Sequence, residues 1–291
     1  MDATVECARH PGRPALTTCN RCGNGVCAED IVDAPVGYQC LDCARSAPEV
    51  RRLGEHPSTP PATRTLVVTI VAVALLGATG AVDARTFGLV PVLVGLGEWW
   101  RIVTSAFLHG GLVHLAFNGL LLWRLGQLLE ARVGTGAFLG LTASGLAGGG
   151  LGVVALSWVV AATPLGGVGF VRTVLGGGPF TITVGASGAV FGLMGAFLVL
   201  LRRRGVDPWA TAEGSTVGAL VLLNLVLTFA VPTISVGGHV GGLLGGAAAA
   251  LLVRAERPGG PRDTVRTVLL ATTLLVATVA VARALVGALA G

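Results

Sequence analysis

The sequence predicts an all-α polytopic membrane protein, seven transmembrane helices preceded by a small cysteine-rich domain. Three observations carry that reading. The chain is 53% hydrophobic and only 12% charged, with 45 glycines among 291 residues. This balance suits packed membrane helices, where small residues let backbones approach closely, and does not suit a soluble globule. From Leu66 onward, apolar runs of membrane-crossing length follow one another. All six cysteines fall between Cys7 and Cys43, and none lies in the apolar region.

Residues 1–45 are polar and form the first expected domain. Their ligand-type residues come in four pairs of like spacing: Cys7 with His10, Cys19 with Cys22, Cys27 with Asp30, and Cys40 with Cys43. Two intervening residues let both side chains of a pair reach one ion, so eight ligands supply two tetrahedral zinc sites. So short a domain buries little core, and metal would supply its folding energy. The alternative, free or disulfide-bonded cysteines, belongs to an oxidising compartment. No basic, apolar and cleavage-site sequence opens the chain, so residues 1–60 are expected to stay where they are made. The block resembles a B-box-type zinc finger over residues 5–45. That resemblance implies alternating pairs: Cys7, His10, Cys27 and Asp30 on one zinc, Cys19, Cys22, Cys40 and Cys43 on the other. Such modules bind proteins, so a cytoplasmic protein partner is expected.

Residues 46–64 mix proline with charge and read as a linker. Spans are expected near 66–82, 108–129, 137–161, 187–201, 216–232, 236–253 and 266–289. The fourth run is short, but a span that starts inside a protein cavity need not cross the whole hydrocarbon layer. Seven spans put the termini on opposite sides of the membrane, and arginine placement selects the orientation. With the N-terminus inside, the inner segments hold Arg45, Arg51, Arg52, Arg64, Arg132, Arg202, Arg203, Arg204, Arg254, Arg257, Arg262 and Arg266. The outer loops hold Arg85, Arg101 and Arg172. The N-terminal domain is therefore expected in the reducing cytoplasm and the C-terminus outside, at the plasma membrane. The net charge of +5 is accounted for by this bias without a nucleic-acid partner. Arg124, inside the second span toward its inner end, is expected to snorkel to the interface.

Polar side chains inside apolar spans are costly and are functional candidates. The second span carries His109, His114 and Asn118, the fourth Ser187, the fifth Asn224 and Thr228, and the sixth His239. His114 and Asn118, four apart, share a helix face. Ser187 falls in the first turn of its span, where backbone N–H groups lack intrahelical acceptors and partial positive charge suits an oxyanion. His239 is followed by glycines at 241, 242, 245 and 246, a face that lets another helix approach at near contact. If that helix is the fourth span, a serine, a histidine base and amide donors meet, the minimum for acyl transfer. A metalloprotease would need an HExxH motif and an intramembrane aspartyl protease would need acids within the spans; the sequence has neither.

From residue 66 to 255 the chain resembles the rhomboid family of intramembrane serine proteases. The matching pieces are Trp100-Arg101, His109 with His114-x3-Asn118, Glu130, Gly185-Ala186-Ser187-Gly188, and His239-x2-Gly242-x3-Gly246. The resemblance implies that Ser187 is the nucleophile and His239 its base, a dyad without aspartate and without a catalytic cofactor. It implies an oxyanion hole of Asn118, His114 and the Ser187 backbone N–H, a first loop (83–107) partly in the outer leaflet, and a fifth span acting as a lateral gate. Substrates would be transmembrane proteins cut near the outer surface of the bilayer. The core is then six helices over 65–255, with an extra C-terminal helix in 256–291. A competing reading is an inactive rhomboid-like scaffold that binds membrane clients, with the zinc domain as adaptor.

Overall fold

The computed structural model describes residues 5–34, 37–45, 60–162, 177–254 and 260–290. Arg51, Arg52, Arg172 and Arg257 lie outside the described residues, as does most of the linker read over 46–64. The chain divides into two compact units, Met1–Pro57 and Ser58–Gly291.

The first unit is built from two short antiparallel hairpins and one helical turn. Strand β1 (Thr17–Thr18) pairs with β2 (Gly25–Val26), Thr17 opposite Val26. Strand β3 (Ile31–Asp33) pairs with β4 (Tyr38–Cys40), Ile31 opposite Cys40, and β4 runs into α1 (Leu41–Arg45). The turn between β1 and β2 is closed by the Gly23 N–H donating to the Cys19 carbonyl at 2.8 Å. Its buried positions among the described residues are Cys7, Cys19, Gly25, Val26, Cys27 and Asp30. A hydrophobic core of that size does not hold a fold by itself.

The second unit is an all-α polytopic membrane assembly, with seven long helices among the described residues. These are α2 (Pro61–Ala78), α3 (Leu112–Val133), α4 (Thr135–Ala162), α5 (Ser187–Arg203), α6 (Ala212–Ala230), α7 (Val236–Leu252) and α8 (Pro261–Ala290). Five are long and apolar enough to cross a bilayer; α5 and α7, at 17 residues each, are shorter. The short α5 is enclosed by protein and need not cross the whole hydrocarbon layer. In α5 every residue from Gly188 to Phe197 is buried, which makes it the central helix. Around it, Leu122, Leu125, Leu129, Phe138, Leu141 and Val221 complete the main apolar cluster.

Several helix boundaries differ from the sequence expectation. Helix α2 begins at Pro61, inside the expected linker, because proline suits the first helical turn and Glu130 receives the N–H groups of Ala62 and Thr63 at 3.0 and 2.8 Å. Helix α3 begins at Leu112, so His109 precedes the helix instead of riding on it; Gly111, at φ +154°, turns the chain there. Helix α8 begins at Pro261 and spans 30 residues.

Helices α4, α5 and α7 meet through glycine. A β-carbon on Gly242 would fall on the Gly188 carbonyl and 2.8 Å from its Cα, and one on Gly246 would strike the Gly192 backbone. On the other side, one on Gly148 would lie 2.5 Å from the Gly241 carbonyl oxygen. Such approaches replace the hydrophobic drive that lipid cannot supply with close van der Waals packing. Helix α8 packs along α4, where Ser144 Oγ donates to the Thr267 carbonyl at 3.1 Å. A β-carbon on Gly95, in the loop after α2, would lie 2.4–2.8 Å from the backbone of α8 at Ala282 but for the missing side chain, so α8 also backs that loop.

Candidate active site

The loop between α2 and α3 is ordered by its own polar contacts. Asp83 accepts from the Arg85 and Thr86 N–H groups at 2.7 and 3.0 Å, starting a helical turn at Ala84–Phe87. The Thr86 hydroxyl, donating to the same carboxylate, leads these contacts in holding its pKa below the usual carboxylate value. Arg101 is buried, paired with Glu98 and donating to the carbonyls of Arg85 and Gly88 at 2.8 and 2.9 Å. Trp100 beside it is exposed, edge-on to Trp99. The loop then grips the segment that carries Ser187. Leu89 and Thr183 exchange backbone hydrogen bonds at 3.0 and 2.9 Å, and Gly185 N–H donates to the Ser105 carbonyl at 2.9 Å.

Ser187 opens α5 and is half-buried. The preceding Gly185 sits at φ +123°, a conformation that side chains rarely adopt, and the space a side chain would fill is taken by the His114 ring. The N–H groups of Ser187, Gly188 and Ala189 meet no backbone acceptor among the described residues; the first helical bond is Val190 N–H to the Ala186 carbonyl. Three donors and the positive helix end thus lie in the turn that Ser187 opens.

His114 and Asn118 stand one turn apart on α3. His114 Nδ1 accepts from the Gly110 N–H at 3.4 Å, which leaves Nε2 to carry the proton as a donor. Nε2 is the ring nitrogen beside Gly185. Asn118 is buried and donates one amide hydrogen to the His114 carbonyl at 3.0 Å, keeping its second for another acceptor. His109 packs edge-on to His114, ring centres 5.2 Å apart, and both of its ring nitrogens are buried with no hydrogen-bond partner among the described residues.

His239 lies in the first turn of α7, which Ser235 caps by accepting the Gly238 N–H at 3.1 Å. Its ring stacks on Phe191 at 4.1 Å and 22°. Phe191 is one turn along α5 from Ser187, so the imidazole is held on the face that Ser187 shares. Its Nδ1 is 2.7 Å from the Thr228 hydroxyl of α6. Gly188, beside Ser187, and Gly242, one turn along from His239, bring the backbones of these two helices into contact. The sequence places Thr228 on its span without a role and does not single out Phe191. The i, i+4 spacing from Ser187 was the available signal for the latter.

Glu130, at the other end of α3, is buried and structural. Oε1 accepts from Ala62 N–H and the Thr135 hydroxyl at 3.0 and 2.8 Å, and Oε2 from Thr63 N–H and hydroxyl, both at 2.8 Å. Arg124 is exposed on the same helix.

In the first unit, the eight predicted ligands gather into the two expected groups. Cys19, Cys22, Cys40 and Cys43 form one and Cys7, His10, Cys27 and Asp30 the other, ligand atoms within 4.8 Å of one another. Thiolates on a tetrahedral zinc lie about 3.8 Å apart, given bonds of about 2.3 Å. Cys22 and Cys40 sulfurs are 3.8 Å apart. His10 Nδ1 is 3.3 Å from both the Cys27 sulfur and Asp30 Oδ2, and 3.9 Å from the Cys7 sulfur. Both donor sets fit a tetrahedral ion. Asp30 turns Oδ2 to this cluster and Oδ1 toward Arg9 at 3.8 Å. The backbone at Cys40, ahead of further N–H donors, holds the Cys19 thiol down at about 6. The Cys43 thiol is pushed up to about 12, first by its hydrogen bond with Cys40. A divalent cation bound here would ionise all four thiols.

Comparison with known proteins bears on the membrane unit. Residues 96–256 match the rhomboid domain family. The chain is 40% identical over 162 residues to the rhomboid protease GluP of Bacillus subtilis (strain 168), covering 55% of this chain and 27% of that one. It is 30% identical over 153 residues to YdcA of the same organism, covering 53% of this chain and 66% of that protein. It is 33% identical over 163 residues to RHOMBOID-like protein 5 of Arabidopsis thaliana, covering 53% of this chain and 44% of that one. The matched region thus spans between about a quarter and two thirds of these relatives' length.

Proposed function

The chain belongs to the rhomboid family, and on that premise we propose that it is a serine-type endopeptidase acting inside the membrane. Its substrates are transmembrane proteins, cut near the outer face of the bilayer. The observation that carries this reading is the meeting, at the start of α5, of Ser187, unpaired N–H donors, the His114 ring against Gly185, and His239 stacked one turn away on Phe191.

Ser187 is the nucleophile and His239 the general base. As Ser187 Oγ bonds to the scissile carbonyl carbon, its proton passes to His239 Nε2, and the carbonyl oxygen becomes an oxyanion. That oxyanion accepts from the Ser187 N–H, His114 Nε2–H and the free amide hydrogen of Asn118; each such donor contributes about 10²–10³ in rate. The intermediate collapses by breaking the C–N bond, His239 gives its proton to the leaving amine, and an acyl-enzyme remains. Water then attacks the ester, passing its proton through His239 back to Ser187. A peptide bond in an intact helix is shielded, so the substrate is locally unwound at the cut.

The arginine distribution supports a cytoplasmic N-terminus and an outer C-terminus, and the membrane of this reading is the plasma membrane. In the first unit, Cys7, His10, Cys27 and Asp30 hold one zinc and Cys19, Cys22, Cys40 and Cys43 a second. Zinc there supplies folding energy, and the module binds a cytoplasmic protein. The experiment for the catalytic claim is labelling by a fluorophosphonate probe and cleavage of a transmembrane reporter, wild type against Ser187→Ala. Equal labelling of the two removes the claim.

A further inference from the structure

A base that takes a proton at Nε2 must carry its own proton at Nδ1, and without an aspartate some other acceptor has to hold it there. The Thr228 hydroxyl is 2.7 Å from His239 Nδ1 and 2.6 Å from the carbonyl of Asn224, one turn back on the same helix. A hydroxyl has one hydrogen and two lone pairs. Directed at the Asn224 carbonyl, that hydrogen leaves a lone pair for Nδ1–H, and both short contacts are hydrogen bonds. Directed at Nδ1 instead, it leaves two oxygens facing each other at 2.6 Å with no proton between them. The carbonyl one turn back therefore selects the tautomer.

The placement of Thr228 is equally specific. It is 1% exposed, and from residue 222 to the end of α6 it is the only buried residue. Leu222, Leu223, Val226, Leu227 and Phe229 around it are exposed, on a surface made for lipid. In the outer half of α6, Leu225 packs partly buried against the main apolar cluster, and Thr228 is the one fully buried side chain and touches His239.

We propose that Thr228 is a positioning residue that holds His239 in the Nδ1–H tautomer, so that general-base function depends on the outer half of α6 being docked. The proposal rests on the Ser187–His239 reading above. The bond joins two helices, so any displacement of α6 at this level removes the acceptor and frees the ring to exchange tautomers.

The test compares purified full-length wild type, Thr228→Val, Thr228→Ser and Ser187→Ala in detergent micelles on a transmembrane reporter. Thr228→Val keeps shape but removes the acceptor, and kcat should fall about 10-fold or more with KM within about 2-fold. Thr228→Ser restores the hydroxyl, and kcat should return to within about 3-fold of wild type. Wild-type kcat in Thr228→Val, or Thr228→Ser as slow as Thr228→Val, overturns the proposal. If Thr228→Val does not fold, the ¹⁵N shifts of His239 in the wild type decide: a proton on Nδ1 supports the proposal and one on Nε2 overturns it. Should wild type and Ser187→Ala prove equally unreactive, the parent reading fails while the ¹⁵N measurement still judges the Thr228–His239 bond.

Discussion

Replacing Gly242 by alanine adds one carbon at the place where α5 and α7 touch. That β-carbon would lie 2.8 Å from Gly188 Cα and 2.9 Å from its carbonyl carbon, with the carbonyl oxygen nearer still. Carbon atoms rest at about 3.5–4.0 Å, so the overlap is about 1 Å. Every atom in the way is backbone, so no side chain can rotate aside and the helices must part. Gly188 follows Ser187 directly, and Gly242 lies one turn along α7 from His239 on the same helix. A misplacement of about 1 Å between reacting groups costs about 10²-fold, and overpacking costs about 1–3 kcal/mol of stability. The assay is the fluorophosphonate labelling rate of Gly242→Ala, with thermal unfolding in parallel to separate the two effects. Gly287→Ala is the control, since nothing lies within 4 Å of its new carbon, and it should label like wild type. A Gly242→Ala protein that labels at the wild-type rate would refute the claim that this contact sets the serine–histidine distance.

Two further outcomes concern the structure around the site. In Glu130→Gln, either orientation of the amide points its NH2 at two donors, because each carboxylate oxygen accepts two hydrogen bonds; destabilisation of about 3 kcal/mol is expected, read as a lower Tm in micelles, and an unchanged Tm contradicts the capping role. Metal analysis of the full chain should give two zinc ions per molecule and Asp30→Ala one. Ligands bind only when deprotonated, so zinc is retained near neutral pH and released as pH falls; stoichiometry well under one, or acid-insensitive binding, counts against the sites.

Much of this architecture is written in local sequence. The apolar runs mark all seven helices, and Ser187 is where α5 begins because the glycines before it end the loop. The ligand pairs of the first unit come together as their spacing and the resemblance implied. What escaped depends on partners far along the chain. Nothing near Pro61 announces that a carboxylate 69 residues later will cap its helix. His109 looked helical because its neighbours are apolar, yet Gly110 and Gly111 end the loop after it. The Thr228–His239 bond requires knowing that α6 and α7 fold back on each other at that depth, which periodicity alone does not state.

The central claim is that Ser187 is a nucleophile activated where α5 begins. Fluorophosphonate labelling of the purified full-length protein, wild type beside Ser187→Ala and His239→Ala, tests it most directly. The account predicts a labelled wild type, no label in Ser187→Ala, and strongly slowed labelling in His239→Ala. A wild type that does not label when folded, or a Ser187→Ala protein that labels equally, contradicts it.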